Sequence, residues 1–511
     1  MLTKIPPLNK NVTKLIQYSL GAVQFIFILK GIESFKFINL IHAVQRTNIM
    51  MIIPKPSFAT AVVIVLFSSM STTSYQQPPF FDDEEGIIQC IDYDAAENTI
   101  NIDCDYASFR DVIGSINDQS VLERLEEDGE YLLKANLRVA DGGTFEMTSN
   151  GEEEDDNLQY LKIAGENGII IHGRVLISGI KITSWDASSN DVVHQDSDGS
   201  VSRGYIQFDA SEGSEIVNSE FAYLGYNELG RRGFDLHGEE ASRFGYGPSS
   251  DMVIRGSKFH HMWRAFYSTG AYNITIDRNE YHHNLNYAVD PHSGTHDMNI
   301  TNNWVHHNPI GIICSVNCSN ILIEGNNVEN NVRAGIFFSR NMSDSIARNN
   351  HVYNATSGII VSESSDNQIY DNTIEAATSE GILLFNPSEP DDGLTQDNLV
   401  YNNTILNSTT GINATRSYDN ILEDNKFSDT KTSEYLLTRN SGIIIVDRDF
   451  DNVLITEGGS TTDNLVEIAY SGTIEVTETN AQGVTERNFY NTDNEPYRKR
   501  LSNGENIIVN S

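Results

Sequence analysis

The chain has 511 residues, 39% of them hydrophobic, and its 71 acidic and 34 basic side chains give a formal net charge of -37 at pH 7. A charge of this size argues against a nucleic acid as partner, because the phosphate backbone would be repelled. An acidic polysaccharide is not excluded, since a local basic groove matters more than the net charge.

The sequence of the first 74 residues indicates that the protein is exported. Residues 50–74 carry one basic side chain ahead of an apolar run from Phe58 to Phe67 and a tail of small residues, which is typical of a secretory signal. The true start is then expected at Met50 or Met51, and residues 1–49 are a mis-called start or a leader; a retained N-terminal anchor is the alternative. Because the earlier apolar stretches are too short for a membrane helix, we expect a secreted, periplasmic or cell-surface protein whose mature chain has no stable membrane span.

Residues 75–165 form a mixed, acidic N-terminal region. Cys90 and Cys104 flank a hairpin-like segment in it, and Cys314 and Cys318 lie close together further along the chain. An even number of cysteines in an exported chain suggests disulfides. The sequence leaves their pairing open, although a bridge between Cys90 and Cys104 would close the hairpin.

Residues 166–427 repeat with a period of about 22 to 24. An asparagine series and a glycine series share this period: Asn279, Asn303, Asn327, Asn350, Asn372, Asn403 and Asn425, and Gly311, Gly335, Gly358, Gly381 and Gly411. Each unit holds two or three short strands and no helical period, so it must stack on its neighbours to bury its apolar face. Leucine-rich repeats share the period, but their signature is missing. The repeat therefore predicts an all-β parallel β-helix, with asparagines stacked in a ladder at one corner.

The repeat is interrupted once and then fades. Both series share one long interval, which places an insertion at Pro387–Gln396, a loop by its proline, glycine and aspartate content. Calcium at Asp391 and Asp392 is conceivable but unsupported. Residues 428–511 lose the period, and we interpret them as late coils and a β-rich C-terminal cap that covers the open end of the solenoid.

Three His-His pairs recur at the repeat spacing: His260–His261, His282–His283 and His306–His307. A metal-binding stripe is conceivable. We interpret the pairs instead as stacked, hydrogen-bonded corner residues, and we predict no metal site and no required cofactor.

One turn departs from the repeat. Its strand reads Tyr287-Ala-Val-Asp-Pro-His292, where the next turn has the plain buried strand Ile310-Gly-Ile-Ile-Cys-Ser315. A proline beside an aspartate is commonly a turn, but a departure from the local pattern most often marks a functional site. Because a tyrosine, an aspartate and a histidine within six residues can transfer protons, this turn is the candidate site.

The small residues that open each strand predict which side chains stack ~4.8 Å apart in neighbouring turns. In this register Tyr287 lies beside Arg264 and Ile310, and His292 lies beside Thr269, Ser315 and Ser339. Ile313 and Phe337 fall on the groove side as apolar exceptions. The residues that can meet around one bound chain are Arg264, Tyr267, Tyr287, Asp290, His292, His296 and Arg340.

From Arg203 to about Asn372 the chain resembles the periplasmic mannuronan C5-epimerases of alginate biosynthesis, which are right-handed parallel β-helices. The segments that carry the resemblance are Ala222–Asn227, Ser257–Met262 and Asn286–His292 with His296. The family's signature is Tyr-Gly-x-Asp-Pro-His followed by an acidic or polar residue. This chain has Ala288 in place of the glycine and Ser293 after the histidine.

The resemblance implies inversion at carbon 5 of β-D-mannuronate within a polymer, giving α-L-guluronate. Proton loss from this carbon requires a neutralised carboxylate, and the protons leave and return on opposite faces of the ring. By analogy with the family, His292 is the base and Tyr287 the candidate acid, while Asp290 orients His292 or binds a sugar hydroxyl. The substrate-binding candidates are Arg264, Tyr267, Asn286, His296, Ser315 and Ser339.

The carboxylate-neutralising arginine is where this chain departs from the family. The family places it after the strand that follows the Asp-Pro-His turn, and this chain has Val316 there. Arg340, one turn further on, and Arg264, one turn before the motif, are the available replacements. We favour Arg340.

Three classes of function stay open. The first is the epimerase, acting on an acidic polysaccharide as a monomer. A uronan lyase shares the proton abstraction and then expels the 4-linked sugar, and a non-catalytic carbohydrate-binding β-helix needs no reaction. Glycoside hydrolysis is disfavoured, because no carboxylate pair faces one groove.

Overall fold

The computed structural model describes residues 90–511 except 150–157, 239–246, 248, 388–392, 447–449, 451–452, 457–463, 471, 494 and 502–504. Before residue 90 it describes three strands, Lys14–Leu20, Val23–Leu29 and Val62–Val65, which pair antiparallel. The rest of the predicted leader and secretory signal, and the loop residues Asp391 and Asp392, lie outside the described residues. The chain divides into two units, residues 1–86 and 87–511. None of the helices described is long and apolar enough to cross a membrane.

Most of the described strands stack in parallel in three sheets. The groove sheet consists of Asn136–Val139, Gly168–Ile171, Tyr205–Phe208, β1 (Gly233–His237), β2 (Arg264–Thr269), β3 (Tyr287–His292), β4 (Ile310–Ser315), β5 (Ala334–Ser339), Ser357–Ser362, Glu380–Phe385, Thr410–Thr415, Ser433–Thr438 and Val453–Thr456. The second sheet consists of Tyr106–Ser108, Thr144–Thr148, Arg174–Ser178, Glu215–Val217, Val253–Arg255, Tyr272–Asp277, His296–Thr301, Ser319–Glu324, Ile346–Arg348, Gln368–Tyr370, Leu399–Tyr401, Ile421–Glu423, Ser441–Val446 and Asn464–Ile468. The third consists of Glu130–Leu133, Tyr160–Ala164, Lys181–Asp186, Glu220–Ala222, Lys258–His260, Glu280–His282, Trp304–His306, Asn327–Glu329, His351–Tyr353, Thr373–Glu375, Thr404–Leu406 and Lys426–Ser428, and Leu122–Arg124 pairs antiparallel at its N-terminal edge.

Each turn of chain contributes one strand to each sheet and then stacks on the turn before it. The result is the predicted right-handed parallel β-helix. Its interior is one apolar core, in which equivalent residues of successive turns, such as Val289, Ile312 and Ile336, are wholly buried. Short strands are stable here because each one forms backbone hydrogen bonds with the equivalent strands of the two neighbouring turns.

The two ends of the solenoid are less regular. A hairpin (Ile91–Asp94 and Thr99–Ile102) and helix α1 (Phe109–Ser115) precede the first rungs, and the parallel pairing starts before the predicted core boundary at residue 166. A short strand, Asp191–Val192, pairs antiparallel with the third sheet. At the C-terminal end the strands Thr473–Thr479, Thr485–Asn491, Tyr497–Leu501 and Asn506–Asn510 pair antiparallel.

An asparagine ladder marks one corner, as predicted. It runs through Asn279, Asn303, Asn326, Asn350, Asn372, Asn403 and Asn425. The side-chain amide of Asn326 accepts from the backbone N–H of Asn303 at 2.9 Å and donates to Ile300 O at 2.9 Å. The predicted series named Asn327 in place of Asn326. That was wrong by one residue, because Asn327 opens a strand of the third sheet instead of lying at the corner.

The cysteines divide into a bridged and a free pair. Cys90 and Cys104 form a disulfide that closes the N-terminal hairpin, as the sequence suggested. Cys314 and Cys318 are both free, so a disulfide within that turn is not formed. The Cys314 side chain points into the apolar core, whereas the Cys318 thiol donates to Ser315 O at 3.3 Å.

The His-His pairs stack along the helix axis, as interpreted from the sequence. The rings of His260, His282 and His306 lie 4.8 and 5.1 Å apart, and those of the neighbouring column 5.5 and 5.0 Å. Within each pair the two Nδ1 atoms lie 2.8 or 2.9 Å apart. Burial lowers the pKa of His261 and His282 to about 4, so these stacked rings are neutral at pH 7.

Candidate active site

Most of the candidate residues lie on β2 to β5 of the groove sheet or directly beside these strands. The observed pairing aligns Tyr287 with Ile310, and His292 with Thr269 on one side and Ser315 on the other. Ser339 aligns in turn with Ser315. The predicted register is therefore confirmed, and side chains of β2 to β5 share one groove.

The alternation along these strands separates core from groove. Ile312, Cys314, Ile336 and Phe338 belong to the interior core, whereas the other parity faces outward. The predicted apolar exceptions are real. Ile313, Phe337 and Ile360 form a second cluster with Ile310 and Ala334, and Tyr287 packs against it. The floor of the groove, meaning the outward-facing surface of β2 to β5, is thus apolar on the C-terminal side of Tyr287.

His292 ends β3 and is partly buried in the groove. Its Nδ1 lies 2.7 Å from Ser293 Oγ, and its Nε2 lies 3.4 Å from Nη2 of Arg340. Because a guanidinium can only donate, Nε2 is the acceptor and Nδ1–H donates to Ser293. Burial, with the charges of Arg340, Arg264 and Arg232, lowers the pKa of His292 to about 3. The imidazole is neutral at pH 7, and its basic nitrogen is Nε2, which accepts from Arg340.

Arg340 reaches His292 from two turns away. It follows β5 directly, and its φ of 56° ends the strand there. Its Nη2 donates to Ser315 Oγ at 2.7 Å. Among the replacements predicted for the family's arginine, Arg340 is the one that meets the imidazole.

Asp290 forms an ion pair with Arg264. Its Oδ2 lies 2.7 Å from Arg264 Nη1, and its side chain is wholly buried. Burial raises the pKa of Asp290 to about 7, against the lowering effect of Arg264, Arg232 and Arg340. Arg264 takes Oδ2 of Asp290 while Ser293 binds the imidazole, so the role expected for Asp290, orienting His292 or binding a sugar hydroxyl, stays a prediction.

Aromatic rings and guanidinium groups alternate across the floor. The Arg264 guanidinium lies 4.9 Å from the Tyr287 ring centre and 4.8 Å from that of Tyr267. The Tyr267 ring lies 5.5 Å from the His292 ring. Since Tyr287 and His292 are at opposite ends of β3, their side chains border the floor from two sides.

Two predicted residues lie outside the strands of the groove sheet. His296 lies in the second sheet, where its ring stacks on Tyr272 at 5.4 Å and its Nδ1 lies 2.8 Å from Asp297 Oδ2. Asn286 precedes β3 and donates its backbone N–H to Trp263 O at 3.0 Å.

Sequence reasoning missed a charged cluster in and before β1. The Arg232 guanidinium lies 4.3 Å from the Tyr267 ring centre. Asp235, wholly buried, pairs with Tyr267 in the register and lies 3.2 Å from Nε2 of His237. A signal was present, because Asp235-Leu-His237 repeats the Asp-x-His spacing of the candidate turn.

The arrangement offers a neutral base and cations in one groove. Several buried polar atoms here have no hydrogen-bond partner among the described residues, including Nε and Nη1 of Arg232 and Oδ1 of Asp290. Such atoms are rare in folded proteins, and a catalytic role or a bound group is one explanation for them. The site is therefore suited to an anionic substrate from which a proton is removed.

Comparison with known proteins agrees with this fold. The profile of the right handed beta helix region family matches residues 167–348, 244–391 and 347–489. The chain is 26% identical over 283 residues to a mannuronan C5-epimerase of Pseudomonas syringae pv. tomato, which covers 53% of this chain and 50% of the relative. A mannuronan C5-epimerase of Pseudomonas putida is 26% identical over 268 residues, 51% of this chain and 50% of the relative. The chain thus spans about half the length of the curated relatives it matches.

Solved structures with a similar fold include the periplasmic alginate epimerase AlgG. The wild-type crystal structure has a TM-score of 0.53 at 19% identity and covers 73% of this chain and 83% of AlgG. A double mutant of AlgG has a TM-score of 0.59 at 20% identity and covers 68% of this chain and 84% of AlgG. At this identity the likeness concerns the fold.

Proposed function

This chain belongs to the right-handed β-helix family, and we propose that it is a C5-epimerase acting on a polyuronate such as polymannuronate. The observation that carries the proposal is the neutral imidazole of His292, whose basic nitrogen Nε2 lies 3.4 Å from Nη2 of Arg340. The relatives named mannuronan C5-epimerases support it.

In the first half of the reaction His292 Nε2 removes the proton from carbon 5. The electron pair of the C–H bond moves into the adjacent carboxylate, which becomes enolate-like. Arg340 binds this carboxylate and stabilises its added charge. Binding also offsets the positive charge beside His292, so the pKa of the imidazole rises towards its ordinary value and the base becomes stronger.

In the second half Tyr287 returns a proton to the opposite face of carbon 5. Tyr287 and His292 border the floor from two sides, so a sugar ring can lie between them. The Arg264–Asp290 pair forms part of the floor and keeps Arg264 against the Tyr287 ring. Solvent then carries a proton from His292 back to Tyr287, which resets both groups.

The same proposal places the protein outside the cytoplasm. A secreted or periplasmic location agrees with the predicted secretory signal and with the Cys90–Cys104 disulfide. The partner is an acidic polysaccharide, which the cations of the groove bind in spite of the net negative charge.

The test is proton NMR of polymannuronate incubated with the mature protein in deuterated water. We expect deuterium at carbon 5 and the appearance of guluronate signals. His292→Ala should abolish both, and Arg340→Met should lower the rate about 100-fold or more, the usual effect of removing one charge-stabilising donor.

His351→Ala is the matched control, because His351 lies in a strand of the third sheet, away from the groove. Its rate should equal that of the wild type. An unsaturated product absorbing in the ultraviolet would identify a lyase instead, and an absence of carbon 5 exchange in the wild type would contradict the proposal.

A further inference from the structure

We propose that Arg232 is a second anion site of the groove, which binds the carboxylate of the uronate residue next to the reacting one. This neighbour lies on the side of the N-terminal turns. The inference rests on the proposed function in taking a polyuronate as the ligand.

Arg232 lies in the groove, and two donors of its guanidinium have no acceptor in the described structure. Its Nε and Nη1 are buried, and neither has a hydrogen-bond partner among the described residues. Arg264 by contrast binds Asp290, and Arg340 binds Ser315. Buried donors without acceptors are costly. A carboxylate supplies two oxygens in the geometry that a guanidinium fork matches.

Arg232 is held ready for such a ligand. Its guanidinium stacks over the Tyr267 ring at 4.3 Å, and its backbone N–H donates to Asp235 Oδ2 at 3.3 Å. Asp235 is in turn fixed beside His237 by complete burial of both side chains. Little side-chain entropy remains to be lost on binding, which favours affinity.

The position of Arg232 matches the neighbouring sugar. Tyr267, over which it lies, belongs to β2, one turn before His292 in β3, and adjacent turns are ~4.8 Å apart. Arg340 approaches His292 from the C-terminal side. Arg232, which precedes β1, and Arg340, which follows β5, therefore approach the reacting position from opposite directions along the axis.

The polarity of the groove fixes the direction. Beyond Tyr287 on the C-terminal side the floor is the apolar cluster of Ile313, Phe337 and Ile360. On the N-terminal side the guanidinium groups of Arg232 and Arg264 lie beside the Tyr267 ring. A second carboxylate is accommodated on the polar side.

The experiment compares two mannuronate oligomers, one complete and one in which the residues flanking the central sugar are carboxyl-reduced and neutral. For the wild type we expect kcat/KM on the neutral-flank oligomer to be about 10- to 100-fold lower, the effect of losing one charge-assisted contact. Arg232→Gln should show the same loss on the complete oligomer and no further loss on the neutral-flank one. Arg232→Lys, which keeps the charge, should lie between.

Arg231→Gln is the matched control. Arg231 is adjacent in sequence, but it binds the Tyr226 hydroxyl at 2.6 Å, so both oligomers should react as with the wild type. If Arg232→Gln weakened both oligomers equally, or if the wild type did not distinguish them, the inference would be overturned. Dissociation constants of the same oligomers, measured in a His292→Ala background, separate the two proposals: the same pattern in binding, together with no carbon 5 exchange by the wild type, would retain the anion site and reject the epimerase.

Discussion

At the scale of single residues, the proton affinity of His292 is set by what surrounds it. Burial is the largest influence and the guanidinium of Arg340 the next, and together with Arg264 and Arg232 they lower the pKa of the imidazole to about 3. A neutral base is present above that pH and is lost as the pH falls through it. Without substrate, the imidazole of His292 is therefore neutral and able to accept a proton at any pH from about 4 upwards.

Removing Arg340 should raise the pKa of His292. With one cation gone, the protonated imidazole is repelled less, and we expect Arg340→Met to move the pKa upwards by about 1 unit. The measurement is an NMR titration of the His292 ring protons. Arg333→Met is the control, because Arg333 lies over the Phe337 ring at 5.7 Å and should leave the titration unchanged. An unaltered pKa in Arg340→Met would show that this guanidinium does not act on the base.

The sequence predicted which residues share a column but not which atoms bind each other. Tyr287, His292 and Ser315 follow from the strand register, and the structure confirms their alignment. The partner of Asp290 does not follow from it, because Arg264 reaches across one turn with a long, flexible side chain. Arg232 was missed because it lies in the irregular connection before β1, where no register applies.

At the scale of the elements, the asparagine corner ties each turn to the next. The side chain of Asn326 accepts a hydrogen bond from the backbone N–H of Asn303 and donates to Ile300 O and to the side chain of Asn350. All four groups are buried. A repeat in the sequence predicts such a ladder, but it cannot decide between two adjacent asparagines, since either one divides the interval from Asn303 to Asn350 into 23 and 24 residues.

The difference between those two asparagines is measurable. Asn326→Ala leaves buried polar groups without partners, so we expect the free energy of unfolding to fall by about 2–4 kcal/mol. Asn327→Ala removes a side chain that is only partly buried and holds Glu329 at 3.4 Å, and should cost less than about 1 kcal/mol. Urea unfolding of both variants provides the comparison. Equal losses would contradict the ladder as drawn.

At the scale of the whole molecule, the fold could be predicted from the sequence because it is built from turns that stack on their neighbours. Each turn contacts mainly the turns beside it, so a period and an apolar pattern were enough to identify the parallel β-helix. The ends follow no period. The N-terminal helix and the antiparallel strands after residue 472 lie at the ends of the solenoid, where the apolar core has to be covered. No repeat in the sequence specifies which elements cover it.

The net charge of -37 gives the last prediction, because a polyanionic substrate must approach a polyanionic protein. At about 0.01 M salt the Debye length is ~30 Å, so polymer outside the groove is repelled by the acidic surface, whereas at about 0.15 M it is ~8 Å and only close charges act. We expect the KM for polymannuronate to fall between these salt concentrations and to rise again near 1 M, where the contacts with Arg340 are themselves screened. Initial rates of carbon 5 exchange measure this. A short oligomannuronate, confined to the groove, is the control and should lack the initial fall, and a KM for the polymer that rises continuously with salt would show that attraction by the groove dominates at every distance.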